Sequence, residues 1–248
     1  MTGFKDHFSE RAPGYATFRP HYPAELAAWL GSVAPRKELA WDAACGSGQL
    51  STLLGDHFRK VVATDASDAQ VSEAAHHPNV EYRVEPAESS SLAERSADLV
   101  TVAQGAHWLN LAAFYKEAQR VGRDGSPIAL IAYERTRIEP AVDAIVEAFY
   151  SGELEPWWPP ERKHIETGYR DLAFPFERIE APQLEMKASW TADQLLGYIR
   201  TWSAVRAMER ENGPAATDRF AAEVRRVWRS GAKSVSWPIF VLAGRIRG

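Results

Sequence analysis

Apolar residues recur along this chain at two different spacings. Mainly apolar runs, which are typical of buried strands, occupy residues 39–43, 61–64, 97–103 and 127–133, and apolar residues alternate with charged ones over 80–84, which also predicts a strand. Apolar residues every three or four positions, which predict amphipathic helices, occupy residues 23–33, 49–57, 68–76 and 112–121. Strands that alternate with helices in this way predict βαβ units and a mainly parallel sheet.

The pattern changes after residue 133. Helical spacing continues at 140–150, 191–202 and 215–228, and two further runs, 184–190 and 236–246, read as strands. Residues 153–182 are rich in proline and aromatic residues and show no clear periodicity. We therefore expect one domain over residues 1–248, with an N-terminal segment, a ligand-binding core, two helical cap insertions and two late strands that complete the sheet (1–37; 38–133; 134–183 and 191–235; 184–190 and 236–246).

Composition narrows the class of protein. The 248 residues are 45% hydrophobic, and the net charge of −4 is unfavourable for binding nucleic acid. The single cysteine, Cys45, excludes an intramolecular disulfide and a multi-cysteine metal site. No apolar run approaches the ~18 residues of a membrane span, and residues 1–9 lack the apolar stretch of a signal peptide. We expect a cytoplasmic protein, monomeric or homodimeric, that acts on a small molecule and uses neither metal, membrane nor nucleic acid.

The strongest local signal is a glycine turn, residues 42–48, between the first strand and the following helix. Gly46 and Gly48 allow a sharp turn and close approach of a ligand to the backbone. Asp65 follows the second strand, 19 residues beyond Gly46, where an acid can accept hydrogen bonds from ribose hydroxyls. Ser51 stands where dinucleotide-binding turns have a third glycine, and no P-loop lysine follows. The spacing favours a ligand with ribose but no phosphate, such as S-adenosylmethionine.

Four blocks then resemble class I methyltransferases of the type-11 group, across residues 38–133: 41–49, 63–67, 86–88 and 97–108. Residues 15–23 and 198–203 are similar to the branch of that group that contains trans-aconitate methyltransferase. The resemblance implies an α/β, Rossmann-like fold: a seven-stranded, mostly parallel sheet with an antiparallel final strand, helices on both faces and a C-terminal helical cap insertion. It also implies S-adenosylmethionine as the cofactor.

The resemblance assigns cofactor contacts residue by residue. The glycine turn passes under the methionine part, and Asp65 corresponds to the acid that binds ribose. The N-terminal segment closes over the cofactor, and a guanidinium there suits the cofactor's carboxylate. Ala44 and Pro86 depart from the residues that many members have, glycine and an acidic or polar residue respectively. The expected cofactor-binding residues are Tyr15, Arg19, Asp42, Ala44, Gly46, Gly48, Asp65, Ala66, Ala87, Glu88 and Gln104.

The expected acceptor site lies beyond the fourth strand and in the cap, because ligands of α/β sheets bind at the carboxyl ends of strands. Its candidates are Tyr22, His107, Trp108 and Trp202. His107 is the candidate catalytic base; alternatively, it only lines the pocket or orients Gln104. A base is needed for a hydroxyl or amine acceptor, whereas a carboxylate needs none.

The sequence thus predicts methyl transfer to a small molecule, a carboxylate or a hydroxyl, by in-line displacement. The alternative is a non-catalytic module that binds S-adenosylmethionine as a sensor or partner subunit. A nicotinamide dehydrogenase is disfavoured by Ser51, and methylation of nucleic acid is disfavoured by the acidic charge and by the missing Asn-Pro-Pro-aromatic motif.

Overall fold

One mixed sheet of eight strands organises the chain in the computed structural model, which describes residues 20–247. The strands run in the order β3-β2-β1-β4-β5-β8-β6, and β7 pairs with another part of β8. Their bounds are Leu39–Ala43 (β1), Lys60–Asp65 (β2), Val80–Val84 (β3), Leu99–Ala103 (β4), Pro127–Tyr133 (β5), Glu177–Ile179 (β6), Leu184–Trp190 (β7) and Lys233–Arg245 (β8).

The first five strands are parallel, and the last three add an antiparallel edge. β1 pairs with β2 and β4, and β8 runs antiparallel to β5 from Pro127↔Arg245 to Tyr133↔Ile239. The predicted α/β fold with an antiparallel final strand is confirmed. The sheet has eight strands rather than the predicted seven. The additional strand is the short β6, which lies in a segment predicted to belong to the cap and pairs with residues 243–245 of β8.

Nine α-helices surround the described sheet. Their bounds are Ala24–Val33 (α1), Gln49–Gly55 (α2), Asp68–Ser72 (α3), Leu111–Val121 (α4), Pro140–Ala148 (α5), Lys163–Glu166 (α6), Ala192–Arg200 (α7), Ser203–Asn212 (α8) and Ala215–Trp228 (α9). The helix predicted over 191–202 ends at Arg200, and Trp202 has an extended backbone with φ −65° and ψ 136°. A further helix, α8, then begins at Ser203, and it was not predicted.

Alternate residues of the central strands face two apolar layers, as the period of a strand requires. In β5, Ala129 and Ile131 pack toward α1, α2 and the cap helices, while Ile128 and Leu130 pack toward α4. All seven residues of β5 are buried, as expected for a strand covered on both faces. No described helix is both long and apolar enough to cross a membrane.

The cap covers one layer and is joined to the sheet through β7 and β8. Phe149, after α5, stacks on Phe220 of α9 with ring centroids 4.2 Å apart. Trp190 at the end of β7 meets Trp237 of β8 at 4.7 Å. Thr191 begins α7 with a reciprocal capping box to Gln194. The cap lies beside the carboxyl ends of β4 and β5, where Gln104 and Tyr133 line one cavity together with cap residues.

Candidate functional site

The glycine turn after β1 is built from left-handed backbone. Ala44, Gly46 and Gly48 have φ values of 51°, 57° and 81°. A Cβ at Gly48 would overlap the Tyr82 ring, whereas at Gly46 it would meet only Gln70 Oε1, at 3.4 Å. The turn therefore needs glycine at position 48 for packing, and it leaves room above position 46 for a ligand.

Asp65 ends β2 beside this turn. Its carboxylate accepts hydrogen bonds from the backbone N–H of Gly46 (2.8 Å) and of Ser67 (2.9 Å). These bonds engage one lone pair on each oxygen, and a carboxylate offers about four acceptor sites. The two backbone donors thus hold the carboxylate in place at the end of β2, beside the glycine turn.

Asp42 lies beneath the turn and is fully buried. Ser51 Oγ donates to one carboxylate oxygen at 2.6 Å, and Thr101 Oγ1 donates to the other at 2.7 Å. Burial raises the pKa of Asp42 to about 6, although both hydroxyls lower it. The geometry favours support of the turn over the direct cofactor contact expected from the sequence. It also gives a reason for Ser51 at the place of a third glycine.

The segment that is expected to contact the adenine follows β3. Ala87 is buried and Ala66 is exposed. Glu88 accepts a hydrogen bond from the backbone N–H of Asn110, at 2.9 Å, which ties this segment to the start of α4. Ala66, Ala87 and Glu88 are therefore arranged around the same edge of the sheet as Asp65.

The end of β4 turns sharply at Gln104, which has a left-handed φ of 57°. The Gln104 side-chain oxygen accepts from the Tyr133 N–H at 3.0 Å, and its own backbone N–H donates to Ile131 O at 2.8 Å. Both bonds fix the residue against β5. A glutamine in this conformation is costly by ~1 kcal/mol or more, and here it aims the following turn, Ala106–Trp108, at the cap.

A cavity of about 110 Å³ opens where the sheet meets the cap. From the sheet it is lined by the ends of β4 and β5 and by the turn after β4; from the cap it is lined by the 158–165 segment and by the α7–α8 junction. The lining residues are Gln104, His107, Trp108, Tyr133, Trp158, Pro159, Arg162, Ile165, Tyr198, Thr201, Trp202, Ser203 and Arg206. None of these described residues is an acid.

His107 is nearly buried at the floor of this cavity, with 9% of its surface exposed. Its Nδ1 lies 2.9 Å from the hydroxyl of Tyr169. Burial, and then the charges of Arg162 and His164, lower the pKa of His107 to about 3. The imidazole is therefore neutral at physiological pH and is a weak base.

Arg162 enters the cavity from the cap. Its guanidinium lies over the Trp158 ring, 5.0 Å from the centroid, and its Nε donates to the Tyr150 hydroxyl at 3.0 Å. Tyr150 donates in turn to Glu166 at 2.7 Å. Across residues 20–247, Arg162 forms no ion pair of its own with a carboxylate.

Some of the expected acceptor residues are brought together and others are not. Trp108 and Trp202 line the cavity. Tyr22 does not; it packs edge-on behind Tyr133, with ring centroids 6.4 Å apart. Tyr15 and Arg19 lie outside the described residues. Among residues 20–247, no group of three or more His, Cys, Asp or Glu is placed to hold a metal ion.

Sequence reasoning did not assign Arg162, Tyr169, Tyr133 or Tyr198 to the site. The path of the cap chain puts Arg162 and Tyr169 there, and neither lies in a recognisable motif. Tyr198 carried a usable signal, because it lies in the segment 198–203 that resembles a methyltransferase branch. Tyr133 could have been found as the last residue of β5, at the carboxyl edge of the sheet.

Comparisons with known proteins agree with this geometry. Residues 41–130 match the family described as "Methyltransferase domain". A protein of Dictyostelium discoideum named as a methyltransferase is 35% identical over 210 residues, 83% of this chain and 80% of that protein. The solved structure of a protein from Anaeromyxobacter dehalogenans named as a type II methyltransferase is 45% identical, with a TM-score of 0.87, over 92% of this chain and 98% of that one.

A more distant relative names the cofactor. A Saccharomyces cerevisiae protein that is 21% identical over 86% of each chain is named as an S-adenosylmethionine-dependent methyltransferase. The chain thus belongs to the methyltransferase family. It is an S-adenosylmethionine-dependent enzyme with a Rossmann-like fold, and its cofactor is S-adenosylmethionine.

Proposed function

We propose that this chain transfers a methyl group from S-adenosylmethionine to a carboxylate oxygen of a small acceptor bound in the cavity. The observation that carries the proposal is the charge of the lining: Arg162 and Arg206 line it together with aromatic side chains, and none of the described lining residues is an acid. Guanidinium groups are the side chains that best match a carboxylate. An acceptor with an anionic group and an apolar body fits this wall.

Arg162 is the better defined anchor of the two. Tyr150 holds its Nε and Trp158 covers one face of its guanidinium, so that less rotamer freedom remains to be lost on binding. The terminal nitrogens carry four of the five donors of a guanidinium. These donors are the ones that can pair with two oxygens of one carboxylate.

The weak basicity of His107 supports the same acceptor. A group with a pKa of about 3 is poorly matched to removing a proton from a hydroxyl or an ammonium near neutral pH. The described cavity wall contains no Asp, Glu, Lys or Cys that could replace it. A carboxylate is already ionised above a pH of ~4 to 5 and needs no base.

Different residues of the chain bind the cofactor and orient the acceptor. In this proposal Asp65 accepts from the ribose hydroxyls, the turn at Gly46 and Gly48 faces the methionine part, and Ala66, Ala87 and Glu88 surround the adenine. When bound, S-adenosylmethionine supplies an electrophilic methyl group whose transfer to a carboxylate oxygen leaves a neutral thioether and moves no proton. Gln104, Tyr133 and the tryptophans orient the acceptor, and orientation alone can supply ~7–11 kcal/mol.

The acceptor class also agrees with the narrower resemblance. Residues 198–203 are similar to the trans-aconitate methyltransferase branch, and four of them line the cavity: Tyr198, Thr201, Trp202 and Ser203. A carboxylic acid acceptor is therefore the expectation from both the resemblance and the charge of the wall.

The experiment measures release of S-adenosylhomocysteine with a panel of small carboxylic acids, each paired with its primary amide, its alcohol and its amine. We expect turnover of one or more acids and none of their neutral or cationic counterparts. Preferential turnover of an alcohol or amine would contradict the proposal. Binding of S-adenosylmethionine with no transfer across the panel would favour a non-catalytic module.

A variant pair then tests the anchor. Arg162→Gln should raise the KM for the acid at least about tenfold, ~1.4 kcal/mol, and leave the affinity for S-adenosylmethionine unchanged. Arg200→Gln is the matched control, because Arg200 pairs with Asp218 on an exposed surface and does not line the cavity. Equal effects of the two substitutions would refute the assignment of Arg162.

A further inference from the structure

The hydrogen bond between His107 and Tyr169 joins the core to the cap at the cavity floor. The two side chains come from positions 62 residues apart, and both are buried. Because either a histidine nitrogen or a tyrosine hydroxyl can donate, the 2.9 Å distance alone does not tell where the proton lies. The answer decides which kind of group His107 presents to the acceptor.

The local backbone holds Tyr169 rigidly. The end of α6 is closed by a Schellman arrangement, in which the N–H of Tyr169 bonds His164 O at 2.8 Å and the N–H of Gly168 bonds Ile165 O at 2.9 Å. Gly168 has φ 60°, and a Cβ there would meet the Phe240 ring at 2.7 Å. Tyr169 follows with a left-handed φ of 61° and no exposed surface. The fold thus accepts a strained tyrosine to deliver its hydroxyl to His107.

The surroundings of the hydroxyl oxygen set the direction of the bond. Among the described residues, the buried Tyr169 hydroxyl has one hydrogen-bond acceptor within reach, Nδ1 of His107 at 2.9 Å. A buried O–H that lacks an acceptor costs free energy, so the hydroxyl directs its own hydrogen to that nitrogen.

We infer that Tyr169 is a positioning residue that donates its O–H to Nδ1 of His107 and thereby fixes the imidazole as the Nε2–H tautomer. Nε2 has no protein partner among the described residues. It is the nitrogen left to donate a hydrogen bond to the acceptor carboxylate, beside the guanidinium of Arg162. The part that concerns the carboxylate rests on the proposed function; the tautomer does not.

The neutral state of the ring is part of this arrangement. Besides burial, the titratable and charged groups that act on His107 are Tyr169, Arg162 and His164, and the last two lower its pKa. A neutral ring with its proton on Nε2 is a donor toward the cavity and offers no lone pair there. His107 is therefore a binding group for the acceptor and does not serve as its base.

Nitrogen NMR tests the tautomer without any acceptor. The full-length protein is labelled with ¹⁵N in its histidines, and long-range ¹H–¹⁵N correlations are recorded between pH 5.5 and 8, with the His107 signals assigned by their loss in His107→Gln. We expect Nε2 protonated and Nδ1 unprotonated throughout. A proton on Nδ1, or a ring that titrates in this range, would overturn the inference.

Tyr169→Phe should release the ring, so that the Nδ1–H form becomes populated. The matched control is Tyr115→Phe, which also removes a hydroxyl hydrogen bond to the cap, at 2.9 Å from Ala173 O, but has no bond to His107. The control should keep the single Nε2–H tautomer. An unchanged tautomer in Tyr169→Phe would also overturn the inference.

Kinetics separates a donor from a base. A glutamine amide can replace an Nε2–H donor but not a base, so that His107→Gln should keep KM within about threefold of wild type, whereas His107→Leu should raise it by ~10-fold or more. Equal losses in both variants would count against the donor role. If no acid is turned over but the Nε2–H tautomer is found, only the proposed acceptor fails.

Discussion

The charge of Asp42 should make the native enzyme less stable than an uncharged variant at neutral pH. Asp42 is fully buried beneath the glycine turn, and its only described hydrogen-bond donors are the hydroxyls of Ser51 and Thr101. Neither donor is charged, so that burial outweighs both and the carboxyl pKa rises from its ordinary 3.8 to about 6. We expect Asp42→Asn to raise the free energy of unfolding at pH 7.5.

The magnitude follows from linkage. Because the folded-state pKa lies above the unfolded one, the folded state holds the proton more tightly between pH 3.8 and about 6. The stabilisation that Asp42 contributes is complete below pH 3.8, the ordinary pKa, and it is lost as the pH rises through the folded-state pKa of about 6. A rise of roughly two pKa units corresponds to a loss of ~3 kcal/mol at pH 7.5, of which about half is already present at pH 5.

An asparagine amide at position 42 would still accept from one hydroxyl, and the other hydroxyl can rotate to accept from the NH₂ group. Imperfect geometry at this bond offsets part of the gain, so that a net stabilisation of ~1–2 kcal/mol is expected at pH 7.5. The advantage of Asp42→Asn should shrink by ~1–1.5 kcal/mol at pH 5, where wild-type Asp42 is largely protonated. The difference in stability between the two proteins should therefore depend on pH.

Urea unfolding of both proteins at pH 7.5 and 5.0 measures the effect. Asp218→Asn is the control, because Asp218 lies in an exposed pair with Arg200 that contributes at most ~1 kcal/mol. A destabilised Asp42→Asn at pH 7.5, or an advantage equal at both pH values, would refute the reasoning that burial dominates at Asp42.

Three further outcomes are expected. Asp65→Ala should weaken S-adenosylmethionine binding at least about tenfold in calorimetry with little loss of fold, and an unchanged Kd would remove Asp65 from the ribose site. Gly48→Ala should lose ~2–4 kcal/mol of stability, since φ 81° and overlap with Tyr82 both oppose a side chain; a wild-type urea midpoint would contradict this. Asp98→Ala should lower the free energy of unfolding by ~3 kcal/mol. The buried Asp98 carboxylate accepts from the backbone N–H groups of residues 38 and 39, and it lies 2.9 Å from Arg123 Nε in an imperfectly aligned ion pair. A loss of stability under ~1 kcal/mol would contradict this prediction.

The central strands could be predicted because a strand that is buried on both faces is composed mainly of apolar residues. β5 is apolar throughout and β1 and β2 are mainly apolar, and the strand–glycine turn–helix order locates the carboxyl edge of the sheet. Asp65 and Gln104 follow from that order alone. For these elements the local pattern and the global fold require the same residues.

The cap could be predicted only in outline. α8 was missed although Ala204, Val205 and Met208 have helical spacing and are buried, because its other positions are mostly charged or polar and it directly follows the extended Trp202. β6 has one partly buried apolar residue in three, and it is a strand only because the end of β8 offers an edge to pair with. Neither tertiary partner is visible in the local sequence.

The same limit applies to the acceptor site. His107 and Trp108 follow β4 directly, and their place was predicted from the strand. Arg162 lines the cavity and Tyr169 bonds His107 from behind its wall. Both lie in a segment without periodicity, and their contacts depend on the chain path between α5 and β6. The comparisons identify the family, and the names of the Dictyostelium discoideum and Anaeromyxobacter dehalogenans proteins state no methyl acceptor.

The strand β8 also limits how molecules can exchange with the cavity. Its first half is hydrogen-bonded to β7 from Lys233↔Trp190 to Ile239↔Leu184, while its second half is paired with β5. The helices α7–α9 connect β7 to β8 and are therefore clamped at both ends to a ladder continuous with the core. Swinging them away as a lid would break that ladder. Residues 155–162 form the other wall, and they consist of two single turns without strand pairing. This wall can open at a lower free-energy cost, so we expect acceptor and product to pass on that side.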